Sequence, residues 1–368
     1  MPDIKGEGRD ESRTNKEGVS FTRLVNENKG GVDDPASSGW NGLSRSLGTD
    51  AASVSSDDGS GLPAEDNTDV EEFKSLYGEA LDYLDHVYDL VGAGEEFSLE
   101  KGEAIIDRIV EIGPDQDTLY VLALHKDYRE RYLSSHAVNV AIFSIRLAEN
   151  LGFDKNRMKE LGLAALLHDV GTARIADDII YKKGGLTKKE MGILRQRPVY
   201  GHEILKRFGG TYRMLYETAL QVYERIDGSG YPHGLRDDEI NEYARIIGLV
   251  DVYEAMIHSR PQRERFLHFS AIKEIIKTGK EKFARRYLKA LVNIFSIFPL
   301  YSYIKLNSGA IGRVIGTHPD HPLRPKLTIL YDSRRKALHT ERIVDLPDHP
   351  LLNIVDSFEA GELEAAGG

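Results

Sequence analysis

An all-α core carrying a small C-terminal β-appendage is the fold class this sequence predicts, and three observations predict it. Apolar residues recur at helical spacing from Val70 to about Phe298. Beyond Pro299 the spacing drops to two, with Gly, Pro and Asp between short apolar runs. Ahead of both, residues 1–69 are rich in Gly, Ser, Asp and Asn, with no sustained period.

The elements follow in order. Residues 1–69 offer too little apolar surface to offset the entropy of ordering, so a disordered acidic tail is expected. Residues 70–128 read as a helical N-terminal subdomain. Phe73, Leu76, Tyr77, Leu81, Leu84, Val87, Tyr88 and Val91 line one stripe that Gly92 and Gly94 stop. A second helix starts with Ser98 as N-cap and carries Ile105, Ile106, Ile109 and Ile112 to Gly113-Pro114. A third spans about Thr118 to Lys126.

Residues 129–298 form the main helical domain. Ser134 or Ser135 caps a deeply apolar helix that holds His136 in its first turn and ends before Gly152. Lys155 to Leu167 is a helix delivering His168 and Asp169. Thr187-Lys-Lys-Glu190 is a capping box. Pro198 opens a helix that Gly209-Gly210 ends, and residues 211 to about 225 continue helically into Asp227-Gly-Ser-Gly-Tyr-Pro232. Ile240 to about Ile257 is helical and contains Asp251. Two more helices run from Ser270 to about Thr278 and from Lys280 to about Phe298. Residues 299–346 are the β-appendage, with strands at 303–306, 312–316, 326–331 and 342–346. Residues 347–368, rich in Glu and Gly, read as a frayed tail.

Composition narrows the function. The net charge of −11 excludes nonspecific binding to DNA or to an anionic membrane surface, since each needs a basic footprint. It leaves open a phosphorylated ligand, because a metal or a few arginines reverse the field inside one cleft. The absence of cysteine excludes disulfides, thiolate catalysis and Cys-ligated zinc. No run approaches the ~18 apolar residues of a membrane span, and no signal-peptide core is present, so a soluble cytoplasmic protein is expected.

His168 and Asp169 stand side by side at the end of an apolar helix, and a lone pair of this kind is an ordinary helix end. Together with His136 and Asp251, also on buried helices, they make two imidazoles and two carboxylates. That set suits Fe, Mn, Zn, Co or Mg. Inward-facing ligands from several helices are how bundles commonly build such sites.

The strings around these residues resemble the HD-GYP family, a branch of the HD-superfamily metal-dependent phosphohydrolases that hydrolyses cyclic di-GMP. The likeness runs from about Asp127 to about Phe266. It rests on Ser135-His-Ala-Val-Asn-Val140, Leu166-Leu-His-Asp-Val-Gly171, Gly185-Leu-Thr-Lys-Lys-Glu190 and Gly201-His-Glu-Ile-Leu205. It rests also on Glu224-Arg-Ile-Asp-Gly-Ser-Gly-Tyr-Pro232 and on Ala244-Arg-Ile-Ile-Gly-Leu-Val-Asp-Val-Tyr-Glu-Ala255, followed by Arg260-Pro261. The resemblance implies an HD-superfamily helical bundle in which His136, His168, Asp169 and Asp251 hold a divalent metal.

The departures fall in a pattern. Where the family carries a lysine after the glycine that follows His-Asp, this chain has Thr172. Where it has a histidine before the proline of the helix opening, this chain has Arg197. The family's His-His pair before the loop glutamate is Val222-Tyr223 here. By resemblance the missing histidines belong mainly to a second metal that Asp169 would bridge, so one ion per chain is expected. His202, five residues past Arg197, is turned well away on the helix and is no replacement.

The implied function is cyclic di-GMP signalling with reduced or lost hydrolysis. The alternatives are a non-catalytic module that binds cyclic di-GMP or a protein, and a one-metal hydrolase of another nucleotide. If hydrolysis occurs, Asp169 orients the nucleophile and Arg197 supplies positive charge. Arg260 and Arg263 stand where the family contacts phosphate. Gly230, Tyr231 and Pro232 lie in the loop that the family uses toward partners, notably diguanylate cyclase domains.

Overall fold

The computed structural model of the chain describes residues 68–112, 116–125, 131–258 and most of 266–358. The segment expected to be a disordered tail lies almost wholly outside the described residues, as do Arg260 and Arg263.

The helical part comprises α1 (Thr68–Ala93), α2 (Glu100–Glu111), α3 (Gln116–His125), α4 (Tyr132–Asn150), α5 (Lys155–Leu166), a short 3-10 turn (Val170–Arg174), α6 (Asp177–Ile180), α7 (Lys188–Leu194), α8 (Arg197–Lys206), α9 (Arg213–Gln221), α10 (Glu242–Ile257), α11 (His268–Gly279) and α12 (Arg285–Ile294). Helix α4 is the hub. It is apolar on nearly every side, with Val138, Val140, Phe143, Ile145 and Leu147 all buried, and it packs against α1, α3, α5, α10 and α12. Helix α10 is almost as deeply buried. These two central helices carry His136 and Asp251, so their rigidity is passed to the site.

Several boundaries differ from the sequence reading, each for a local reason. Helix α4 begins at Tyr132, so neither serine caps it. Ser134 instead hydrogen-bonds the carboxylate of Asp85 on α1, and Ser135 bonds back to the Tyr132 carbonyl at 3.1 Å. Ser98 sits one residue ahead of the N-cap position of α2, where its hydroxyl accepts from the Glu100 amide at 3.2 Å. Helix α12 starts at Arg285 rather than near Lys280, because residues 280–284 turn to dock on the loop after α9. There the Lys282 carbonyl accepts from the Ile226 amide at 3.2 Å. The capping box at Thr187 and Glu190 is present on α7, and Pro198 lies in the first turn of α8. Gly209 follows α8 with φ of 83°, a conformation glycine adopts at little cost.

The C-terminal part is an antiparallel sheet of β1 (Tyr303–Leu306), β2 (Ile311–Gly316), β3 (Lys326–Tyr331), β4 (Ile343–Asp345) and β5 (Ile354–Phe358), in the spatial order β4-β3-β2-β1-β5. Strand β5 falls in the segment read as a frayed tail, and it pairs with β1 from Tyr303↔Phe358 to Leu306↔Ile354. Its alternation is short and flanked by Glu and Gly, so its pairing is set by β1 rather than by its own sequence. Ile304, Leu306, Val314, Leu327 and Val344 point inward and join the same hydrophobic core as the helices.

Candidate metal centre

Three segments far apart in sequence meet at one buried point. Helix α4 brings His136, the end of α5 brings His168 and Asp169, and α10 brings Asp251. His136, His168 and Asp251 each offer a ligand atom within 4.8 Å of the others. The His136 Nε2 is 3.0 Å from Asp251 Oδ1, and His168 Nε2 is 3.8 Å from the same oxygen. All three residues are buried, with Asp251 the most exposed at 8%. Asp169, the fourth expected ligand, is buried beside them but outside that close group of three.

Backbone geometry holds the second histidine. His168 Nδ1 is 2.7 Å from the Ala165 carbonyl, an acceptor only, so Nδ1 carries the proton and Nε2 is left as a lone-pair donor. That Nε2 and Asp169 Oδ1 are buried with no hydrogen-bond partner among the described residues. Unsatisfied polar atoms at this depth are costly unless something unseen binds them. Two imidazole nitrogens and carboxylate oxygens, two of these atoms unpartnered, fit one divalent ion.

Without an ion, the imidazoles and carboxylates of the cluster charge one another. Burial alone would raise the Asp251 carboxyl, but the neighbouring His136 and His168 imidazoles hold it well below the usual carboxylate range. Burial likewise disfavours charge on His136, yet Glu254 and Asp251 outweigh it and push the imidazole up to about 9.

Gly171 lets this segment approach α8. A Cβ there would lie 2.0 Å from the Arg197 carbonyl oxygen and 2.5 Å from the Gly201 amide nitrogen. The close approach puts Arg197 against Asp169, with Nη1 3.4 Å from Oδ2. Arg197 Cζ lies 3.8 Å from the centroid of the Tyr223 ring, and Nη2 donates to the Tyr231 hydroxyl at 3.3 Å. The Tyr223 and Tyr231 rings are parallel, 5.2 Å apart. Thus two of the three positions at which the family pattern has histidine form a cation-aromatic stack at Asp169, while Val222 is fully buried and supplies no donor. Thr172 is buried with its hydroxyl unpartnered among the described residues. His202 does face elsewhere: its Nδ1 is 3.3 Å from the Tyr216 carbonyl and its ring meets the Tyr216 ring edge-on.

The loop after α9 is held from beneath by Glu224, which is 4% exposed. Its carboxylate accepts from the backbone amides of His233, Gly234 and Leu235 at 2.6, 3.2 and 3.0 Å. Gly230 is required by packing, since a Cβ would sit 2.4 Å from Glu224 Cα. The Tyr231-Pro232 peptide is cis, and Tyr231 faces Arg197 rather than standing free.

Sequence reasoning missed Glu254, which contacts His136, and Asn139 and Tyr77, which line up behind Glu254. Spacing was the available signal: Asn139 follows His136 by three residues and Glu254 follows Asp251 by three, so each shares its ligand's helix face.

Comparison with known proteins agrees with the fold. Residues 122–286 match the model of an HD domain, and residues 303–366 match a KOW domain associated with HD domains. A cyclic di-GMP phosphodiesterase of Pseudomonas aeruginosa is 31% identical over 233 residues, covering 63% of this chain and 56% of that protein. A cyclic di-GMP phosphodiesterase of Borreliella burgdorferi is 31% identical over 195 residues, or 53% of this chain and 51% of its own length. The chain therefore spans about half the length of the curated relatives it matches. An HDG"Y"P protein from Bdellovibrio bacteriovorus shares the fold, with a TM-score of 0.52 at 17% identity over 63% of this chain and 74% of that one. Residues 122–286 of this chain are an HD domain, similar in sequence to those cyclic di-GMP phosphodiesterases. Among the described residues no helix is long and apolar enough to cross a membrane.

Proposed function

We propose that this chain binds cyclic di-GMP at a centre holding one divalent ion, and that hydrolysis there is weak or absent. The observation that carries the reading is the Arg197 guanidinium beside Asp169, 3.4 Å from Oδ2 and laid over Tyr223. By resemblance a second ion would share that carboxylate. Arginine is charged at every accessible pH and occupies the position as a fixed cation, and neither Val222 nor Tyr223 replaces the lost imidazoles.

An ion held by His136, His168, Asp169 and Asp251 would supply Lewis acidity and ionise water at neutral pH. Two ions steady both the attacking and the leaving oxygen of a displacement at phosphorus, and one ion steadies only one of them. The chain's own residues then divide the remaining work. Arg197 presents positive charge to a phosphate, as preorganised cations do in phosphoryl transfer. Tyr223 and Tyr231 hold its plane, and Asp169 orients the group that approaches phosphorus. Arg260 and Arg263 are proposed to meet the rest of the phosphodiester. Tyr231, Gly230 and Pro232 are proposed to present the loop to a protein partner such as a diguanylate cyclase domain.

Isothermal titration of the full chain with cyclic di-GMP in the presence of Mn, paired with chromatography of the products, tests the reading. Binding is expected with little or no linear product, and Asp169→Ala should remove any residual turnover. Arg197→Ala should weaken binding by about tenfold or more, the usual scale for losing a charged hydrogen bond. Rapid linearisation would contradict the proposal, and turnover of mononucleotides without binding of cyclic di-GMP would move it to another nucleotide.

A further inference from the structure

His136 offers its two ring nitrogens to two different carboxylates. Nε2 faces Asp251 within the metal cluster at 3.0 Å, whereas Nδ1 faces outward and contacts Glu254 Oε2. Glu254 is 2% exposed and is no member of the ligand group. Its other oxygen, Oε1, accepts from Asn139 Nδ2 at 3.1 Å and lies 3.0 Å from His258 Nδ1. Asn139 Oδ1 in turn accepts from the Tyr77 hydroxyl at 2.7 Å, which ties the network to α1. Tyr77, Asn139 and Glu254 are each 2% exposed or less.

The direction of every hydrogen bond in this chain is fixed by chemistry. The Glu254 carboxylate can only accept, so the Asn139 amide nitrogen faces it and the amide oxygen accepts from the Tyr77 hydroxyl. The carboxylate can only accept from His136 as well. The proton between them therefore belongs on Nδ1, and Nε2 is the nitrogen available to an ion. A buried carboxylate persists as an anion only when paired and hydrogen-bonded, and Asn139, His136 and His258 meet that condition here.

We propose that Glu254, oriented by Asn139 and Tyr77, is a positioning residue that fixes His136 as an Nε2 metal donor. The inference rests on the metal-centre reading above. It extends the centre outward to α1 and names residues that the ligand pattern omits. Carboxylates behind metal-bound histidines change metal affinity on the order of 10–100-fold when removed.

The test is a Mn titration of the full-length protein against a competing fluorescent chelator, for the wild type, Glu254→Gln and Tyr77→Phe, with circular dichroism to establish folding. Glu254→Gln should weaken Mn binding by about 10–100-fold. Tyr77→Phe, which deletes a single hydroxyl, should weaken it in the same direction by less. Wild-type affinity in folded Glu254→Gln would overturn the proposal. Were that variant unfolded, unchanged affinity in Tyr77→Phe would overturn it instead. A wild-type protein that takes up no Mn would defeat the metal-centre reading itself, and this inference with it.

Discussion

At the scale of single residues, the proposed centre is shaped as much by Arg197, Val222 and Tyr223 as by His136 and His168. Arg197 is not a stray surface cation, for burial and the stacked Tyr223 and Tyr231 rings give it one place to be. The residue that permits this is Gly171. Its missing side chain lets the His-Asp segment lie against the Arg197 carbonyl, where a methyl would be 2.0 Å from the oxygen. Gly171→Ala should therefore push the two segments apart. A loss of about 1–3 kcal/mol, the usual scale of overpacking, is expected in chemical denaturation, together with weaker metal uptake. Unchanged stability would mean that the segments are not held as described. The candidate ligands His136, His168, Asp169 and Asp251 could be picked out from sequence because they sit in strings with fixed neighbours, and the structure groups three of them, His136, His168 and Asp251. Glu254 and Asn139 could not be picked out, because a polar residue on a buried helix face declares its partner only once the opposing helix is placed.

Single elements obeyed local rules where local forces were strongest. The capping box of α7 is an example: Glu190 accepts from the Thr187 amide at 2.7 Å and also takes Lys182 Nζ at 2.6 Å. The Lys182 ammonium and the Thr187 donors hold the Glu190 carboxyl down at about 2. The sign follows directly. A carboxyl depressed in the folded state adds stability above its ordinary pKa near 4.5 and loses that contribution as the pH falls toward 2. Glu190→Gln should lower the melting temperature at neutral pH, with the gap to wild type closing between about pH 4.5 and 2. A gap that does not change with pH would show that the carboxylate charge contributes nothing. Elements settled by tertiary contacts were harder to read. Ser134 turned from cap to partner of Asp85, and β5 takes its pairing from β1, so composition alone read it as a tail.

Across the whole molecule, the site exists because α4 and α10 are buried on nearly all sides and the chain has no freedom to rotate them. The helical core and the C-terminal appendage were legible from the change of hydrophobic period, which reports burial directly. What period cannot report is how helix faces meet, and that decides whether Asp169 bridges two ions or serves one. Arg197 beside that carboxylate predicts the second outcome. Metal analysis by inductively coupled plasma mass spectrometry, on full-length protein loaded with excess Mn or Fe and desalted, measures it directly. The expected result is about one ion per chain, falling to none when His168 is replaced by alanine. Two tightly held ions per chain would contradict the account, because Arg197, Val222 and Tyr223 leave no complete ligand set for the second.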